Sequence, residues 1–244
     1  MPNPIKGALF DKDGTLIDFE ASWRDLVEQI IADYAKGDAD LALQIGDAIG
    51  FDGRTRIFLP GSPVVSDTVD VIASVMAQVL PGVSPLDLED DINKRATAIS
   101  ETGLSPVAGL AEALARLRDM GMSLGVATHD VESAAHAHMR LMGVHDAFSF
   151  IAGYDSGHGH KPGPGMPNAF AAYIGADPSE VVMVGDSIHD LGAGRSAGCA
   201  YCVAVLTGPA TEVELAPYAD IVLPSVADLP DFLAAKMRER KTTS

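Results

Sequence analysis

Short apolar runs that stop abruptly at acidic or small polar residues punctuate the chain. Ile5 to Phe10 (IKGALF) ends against Asp11, and three runs of the same kind follow: Ser123–Thr128 (SLGVAT), Val181–Gly185 (VVMVG) and Tyr201–Leu206 (YCVAVL). A run of this length bounded by turn residues reads as a buried strand. Between the runs, apolar residues recur at helical spacing. Val107–Met120 sets Leu110, Leu114 and Leu117 on one stripe and stops before Gly121. Val131–Met142, with Asp130 as its expected N-cap, stops before Gly143, and Ile188–Ala197 stops before Gly198. Strands alternating with such helices predict repeated βαβ units, hence an α/β fold with a parallel sheet and helices on both faces.

One stretch departs from that rhythm. From residue 19 to 102 the pattern is helical with no convincing buried strand. Glu20–Tyr34 carries Trp23, Leu26, Val27, Ile30 and Ile31 at helical spacing, and Thr68–Leu80 forms a second helix closed by Pro81-Gly82. Ser84-Pro85 opens a third, serine as N-cap and proline in the first turn. The expected organisation is therefore an α/β core of residues 1–18 and 103–244, with an α-helical domain of residues 19–102 inserted into it. The basic end, Lys236 to Lys241, reads as a solvated last helical turn.

Composition narrows the function classes. With 244 residues and 47% hydrophobic side chains the chain can bury a sizeable core, which excludes disordered, collagen-like and coiled-coil classes. Thirty-four acidic against seventeen basic residues leave a net charge of −17. That balance lacks the basic footprint of a nucleic-acid binder and repels anionic membranes, so any anion site must be built locally from cations and backbone donors. No apolar run approaches the ~18 residues of a membrane span. The opening MPNPIKG lacks the basic and then apolar pattern of a secretory leader, so the expected location is the cytoplasm. Cys199 and Cys202 form a C-x-x-C that leads into a strand instead of opening a helix, as expected of ordinary buried thiols. Six of the seven histidines fall between residues 129 and 160, but His136 and His138 are two apart on a helix and share no face, so no zinc site is expected.

The chemistry-bearing residues sit where the strands end. The first strand runs into Asp11-Lys12-Asp13-Gly14-Thr15, the second into Thr128-His129-Asp130, the third into Gly185-Asp186-Ser187 with Asp190 four residues on. In an open parallel sheet, ligands bind beyond the carboxyl ends of the strands, so these distant residues can converge on one pocket. Asp11 and Asp13 would repel each other if both were buried and ionised, a conflict that a hard cation removes. With Asp186 adding another oxygen, the pattern suits Mg²⁺ and a phosphoryl group. Asp11 can then act as nucleophile and Asp13 as proton donor and acceptor. Lys12, between them, is expected to point away from the aspartates, into solvent or a salt bridge.

These motifs together resemble the haloacid dehalogenase-like hydrolase superfamily: FDKDGT (Phe10–Thr15), Thr128 in VATHD, Lys161 in HKPGPGMPNAF, and GDSIHD (Gly185–Asp190). The resemblance spans the whole core. It implies a Rossmann-like fold, and the insertion after the first motif looks like that superfamily's helical cap. It further implies Asp11 as nucleophile and Mg²⁺ ligand, and Asp13 as general acid/base with its backbone carbonyl on the metal. Thr128 would hydrogen-bond the phosphoryl oxygens, Lys161 would neutralise their charge while orienting Asp11, Asp186 would ligate Mg²⁺ directly, and Asp190 would do so directly or through water. An aspartate at position 13 argues for phosphoryl transfer over dehalogenation, since only the former needs a proton at a leaving oxygen.

Substrate choice is expected from the cap. There the glycine-rich Gly50–Pro63 segment offers Arg54 and Arg56, whose forks suit a second carboxylate or phosphate, or else pair with the cap's acids. His129 stands where these hydrolases often carry asparagine; it either contacts substrate or satisfies the strand-end backbone. The reading is a Mg²⁺-dependent, phosphoglycolate phosphatase-like enzyme acting on a small phosphorylated metabolite. The alternatives are a sugar phosphomutase with the same aspartyl-phosphate chemistry, a non-catalytic binding protein, and a receiver-like phospho-acceptor.

Overall fold

All four residues of Gly7–Phe10 (β1) are buried, as a strand covered on both faces must be. The structure, a computed structural model, describes residues 5–59, 62–66, 69–102 and 104–242. After β1 come helices Phe19–Ala35 (α1) and Ala39–Ile49 (α2) and a hairpin of Phe51–Asp52 (β2) with Ile57–Phe58 (β3). A single turn Pro63–Ser66 (α3) and helices Val69–Val79 (α4) and Pro85–Thr102 (α5) follow. The chain continues through Leu110–Asp119 (α6), Ser123–Ala127 (β4), Glu132–Leu141 (α7), Phe150–Ala152 (β5), Gly165–Tyr173 (α8), Val181–Gly185 (β6) and Ile188–Ala197 (α9). It ends with Tyr201–Val205 (β7), Glu212–Leu215 (α10), Ile221–Leu223 (β8) and Leu229–Thr242 (α11).

Six strands form one sheet in the order β5-β4-β1-β6-β7-β8, every neighbouring pair parallel. The chain builds outward from β1 through β4 to β5, then returns to the other side of β1 for β6, β7 and β8. The order reverses at β1, so a crevice is expected beyond its carboxyl end, flanked by β4 and β6. Strand alternation sorts the side chains into two layers. Ala8, Phe10, Leu124, Val126, Val182 and Val184 pack with Leu110, Leu114 and Leu117 of α6 and Leu229 and Leu233 of α11. On the opposite face Leu9 and Met183 meet Met166 and Phe170 of α8, while Cys202 and Ala204 meet Leu191 of α9 and Leu215 of α10. The α/β class and the helices on both faces are as the apolar pattern requires.

Two compact units result: Met1–Phe19 with Ser105–Ser244, and Glu20–Leu104. In the first, the two chain crossings lie side by side, since the Asp18 N–H donates to the Ser105 carbonyl at 2.9 Å and Ile17 bridges Pro106. The second buries Ile45 and Ile49 of α2, Phe51 and Phe58 of the hairpin, Ile72 and Met76 of α4, and Leu88 and Ile92 of α5.

Three local expectations are corrected. The inserted segment is not purely helical, because β2 and β3 pair across a turn in which the Asp52 carboxylate accepts the Arg54 N–H at 2.8 Å. Helix α2, not anticipated, starts at Asp38, whose side chain caps two backbone N–H groups, and ends at Gly50 at φ 68°. The N-cap of α7 is Val131, not Asp130: Asp130 accepts the Val131 N–H, and Asp155 accepts the Glu132 N–H, both at 2.8 Å. Pro60-Gly61, Thr68 and Gly103, which the sequence reading used for a loop, a helix start and a domain boundary, lie outside the described residues. Among the described residues no helix is long and apolar enough to cross a membrane.

Candidate active site

Asp11 follows β1 directly, and its N–H donates to the Val184 carbonyl of β6 at 2.9 Å. The next residues fold into a tight turn. Leu16 and Ile17 donate to the Lys12 carbonyl, and Gly14, at φ 77°, donates to the Ile17 carbonyl at 2.9 Å. Gly14 is required for two reasons. A side chain is strained at that φ, and a Cβ there, or at Gly208, would fall on the Asp186 carboxylate. The Thr15 hydroxyl donates to Asp186 Oδ1 at 3.2 Å, and the Thr207 hydroxyl donates to the Gly14 carbonyl at 2.7 Å.

Asp186 follows β6 directly, and α9 begins at once with a capping box. Ser187 Oγ accepts the Asp190 N–H, and Asp190 Oδ2 accepts the Ser187 N–H at 3.1 Å. That holds one oxygen of Asp190 and aims the other at Lys161. The Lys161 ammonium uses its three donors on Asp11 Oδ1 at 2.5 Å, Asp190 Oδ1 at 2.5 Å and the Ala127 carbonyl at 3.0 Å. Thr128, one residue beyond β4 and buried, donates its N–H to the Ala152 carbonyl, and its Oγ1 accepts the Asp130 N–H at 3.1 Å.

Asp11, Asp186 and Asp190, all buried, each offer one oxygen within 4.8 Å of the others. Three carboxylates facing one ammonium leave two negative charges uncompensated. Burial, with help from Asp190 and Asp13, pushes Asp11 up to about 7 although Lys161 opposes it. Burial together with Asp11 and Asp190 pushes Asp186 well above the usual carboxylate range. Burial works against the Lys161 charge, but Asp11 and Asp190 outweigh it and hold the ammonium above its ordinary value. An all-oxygen donor set with a deficit of two charges fits a hard divalent cation.

The Asp13 carboxylate stands outside this triad, 39% exposed, with Oδ2 2.6 Å from Lys12 Nζ. Lys12 does not point away from the aspartates as expected; of the two roles open to it, solvent exposure or a salt bridge, it takes the salt bridge, with Asp13. Its side chain is 1% exposed and also approaches Asp130 and His138. Strand alternation does not extend to it, because β1 ends at Phe10 and the turn brings Asp13 back within its reach. His129 is exposed, makes a backbone hydrogen bond with Lys161, and lies 6.4 Å and 6.2 Å, ring to ring, from His160 and His189. Partial desolvation of the ring by its neighbours, and then the Lys161 charge, lower its pKa. In the inserted unit, Arg56 forks onto Glu28 and Asp25, while Arg54 is exposed on the β2–β3 turn. Burial pushes the Cys199 thiol up to about 12 and Cys202 up to about 11, which keeps both protonated and unreactive.

Sequence reasoning missed four contributors. Ser187 was readable, because Ser followed three residues on by Asp before an apolar stripe is a capping signal. Gly208, Thr207 and His138 carry no such signal and are recruited only by folding.

Comparison with known proteins gives a consistent result. The family model of the haloacid dehalogenase-like hydrolases matches residues 5–198. The chain is 25% identical over 239 residues to pyrophosphatase PpaX of Halalkalibacterium halodurans, covering 96% of this chain and 99% of that one. It is 28% identical over 242 residues to a phosphoglycolate phosphatase of Thiobacillus denitrificans, covering 93% and 95%. A crystal structure of a family hydrolase from Deinococcus radiodurans, with bound phosphate and sodium, superposes at a TM-score of 0.73 and 25% identity, covering 95% and 96%.

Proposed function

The chain belongs to the haloacid dehalogenase-like hydrolase family, and on that premise we propose that it is a Mg²⁺-dependent phosphatase. It hydrolyses a small phosphate monoester by way of a phosphoryl group carried on Asp11. The observation that carries the reading is the buried Lys161 ammonium bridging Asp11 and Asp190 beside Asp186, with two negative charges uncompensated.

Asp11, Asp186 and Asp190, with the backbone carbonyl of Asp13, would hold Mg²⁺, which neutralises the carboxylates and the phosphoryl oxygens. Asp11 attacks phosphorus, and the bond from phosphorus to the leaving oxygen breaks. Lys161 orients Asp11 and offsets charge on the phosphoryl group, and the Thr128 hydroxyl donates to one of its oxygens. Asp13 gives its proton to the leaving oxygen, then takes one from the water that cleaves the aspartyl-phosphate. The Glu20–Leu104 unit serves as a helical cap that excludes water and selects the leaving group.

A substrate carrying a carboxylate, such as 2-phosphoglycolate, is proposed to be held by the arginine pair. Arg54 is the better candidate, because Arg56 spends its fork on Glu28 and Asp25. His129, at the edge of the phosphoryl site, is the other proposed substrate contact. Likeness to the phosphoglycolate phosphatase supports this substrate class.

The test is phosphate release from a panel of small esters, 2-phosphoglycolate and pyrophosphate included, with Mg²⁺ or with chelator. Release is expected only with Mg²⁺, and Asp11→Asn should lose at least about 10³-fold in kcat. Isomerised sugar phosphate without phosphate release would instead mark a phosphomutase. Chelator-resistant turnover, or an active Asp11→Asn, would overturn the reading.

A further inference from the structure

The core buries two lysines at its strand ends. Lys161 is spent on Asp11 and Asp190, and phosphoryl transfer as set out above makes no use of the other, Lys12. An ammonium out of water costs several kcal/mol unless it is well paired, so its partners indicate what it is for. Lys12 Nζ lies 2.6 Å from Asp13 Oδ2, 3.1 Å from His138 Nδ1 and 3.5 Å from Asp130 Oδ2. An ammonium can only donate, so His138 Nδ1 is the acceptor and the ring carries its proton on Nε2.

We propose that Lys12 is the positioning residue for Asp13, its buried ammonium fixing where the Asp13 carboxylate stands when a leaving group must be protonated. The inference rests on the reading of Asp13 as proton donor and acceptor. Three observations carry it. Asp13 is the least enclosed aspartate of the site, 39% exposed, and a carboxylate open to water samples several rotamers unless something holds it. Its close partner among the described contacts is Lys12. Lys12 is in turn fixed from a different strand end, by His138 of α7 and by Asp130. Asp130 is anchored by accepting the Val131 N–H, and its own N–H donates to Thr128 Oγ1. One continuous chain of contacts therefore runs from Thr128, the proposed phosphoryl contact, through Asp130 and Lys12 to Asp13, the proposed proton donor. Lys12 neither touches the reacting atoms nor exchanges a proton in the step. The proton moves from the Asp13 carboxyl to the leaving oxygen as the phosphorus–oxygen bond breaks.

Proton delivery matters in proportion to how poor the leaving group is. An alkyl phosphate needs it, whereas p-nitrophenyl phosphate, whose leaving group is a stable anion, barely does. The experiment compares kcat/KM for the two esters, at one pH and saturating Mg²⁺, in wild type, Lys12→Met, Asp13→Asn and the double variant. This constant reports the steps up to the first departure of the leaving group. Lys12→Met is expected to lose about 10- to 100-fold on the alkyl ester and less than about threefold on p-nitrophenyl phosphate. In the Asp13→Asn background the same change should add nothing, since the lysine acts through the missing carboxylate. Equal losses on both esters, or additive losses in the double variant, would assign Lys12 a purely structural role and overturn the proposal. Should Lys12→Met lose its native circular dichroism, His138→Gln takes its place. A selective loss on the alkyl ester is again expected, and an unselective one overturns. A wild-type protein that releases phosphate from neither ester removes the phosphatase reading itself, an outcome distinct from an active wild type with an unselective variant.

Discussion

At the scale of single residues, the site is organised by which cation faces which carboxylate. Lys161 takes Asp11 and Asp190, Lys12 takes Asp13, and Asp186 has only the Thr15 hydroxyl as a side-chain donor among the described contacts. Burial, reinforced by the neighbouring carboxylates, leaves Asp11 and Asp186 with raised pKa values, Asp11 at about 7. An acid whose folded pKa lies above its unfolded value binds its proton more tightly in the folded state. Its contribution to stability is therefore complete below the unfolded value of 3.8 and is lost as pH rises through the folded one. In chelator, the melting temperature is expected to fall between about pH 4 and about pH 8 on this account. Asp186→Asn removes one buried negative charge without changing shape. At pH 8 in chelator it should melt higher than wild type, by about 2–4 °C per kcal/mol of repulsion relieved. Adding Mg²⁺ should raise the wild-type midpoint and leave the variant's nearly unmoved. Scanning fluorimetry decides this, and a variant less stable than wild type in chelator would refute the charge account.

At the scale of elements, strand ends deliver the side chains and helix starts fix them. The clearest case is α9. Its capping box ties Ser187 to Asp190, and the residue that satisfies the helix N-terminus is the one that pairs with Lys161. Ser187→Ala should cost about 1 kcal/mol as a lost N-cap, read as a drop of about 2–4 °C in melting temperature. It should also lower turnover, because Asp190 loses the partner that aims it; unchanged kinetics would separate cap from site. Much of this scale was legible beforehand. The runs ending at Asp11, Thr128 and Gly185 are local signals that need only a period and a turn residue to be read. Helix α2 and the β2–β3 hairpin were not legible: α2 is interrupted by Gly46, and each strand of the hairpin is two residues long, too short for any periodicity. The cap of α7 was misassigned because Asp155, which accepts the Glu132 N–H, comes from a loop 23 residues away.

At the scale of the whole molecule, the division into two units has a mechanical basis. Among the described residues, the apolar clusters that pack the sheet between its helix layers are drawn from the first unit. The Asp18 to Ser105 hydrogen bond brings the two ends of the excised segment together. Replacing residues 20–104 by a short glycine-serine linker should therefore leave a folded α/β core with a single cooperative thermal transition. Aggregation, or the absence of a transition by circular dichroism, would show that the core depends on the inserted unit.

What the amino-acid sequence determined by itself was the α/β class, the positions of the central strands and the gathering of Asp11, Thr128, Asp186 and Asp190 at strand ends. All of these follow from local alternation, helical spacing and turn chemistry. The pairing of Lys161 with Asp11 was expected only from the resemblance; the tertiary structure decided the other charges that meet, and it makes both kinds of contact over long stretches of chain. Lys161 reaches Asp11 across 150 positions and Lys12 reaches His138 across 126. Lys12, expected to point away from the aspartates, is buried against Asp13, with Asp130 and His138 brought up from beyond β4. Pairings of this kind depend on the crossover connections that set β4 and β6 on either side of β1, and no local pattern encodes that adjacency.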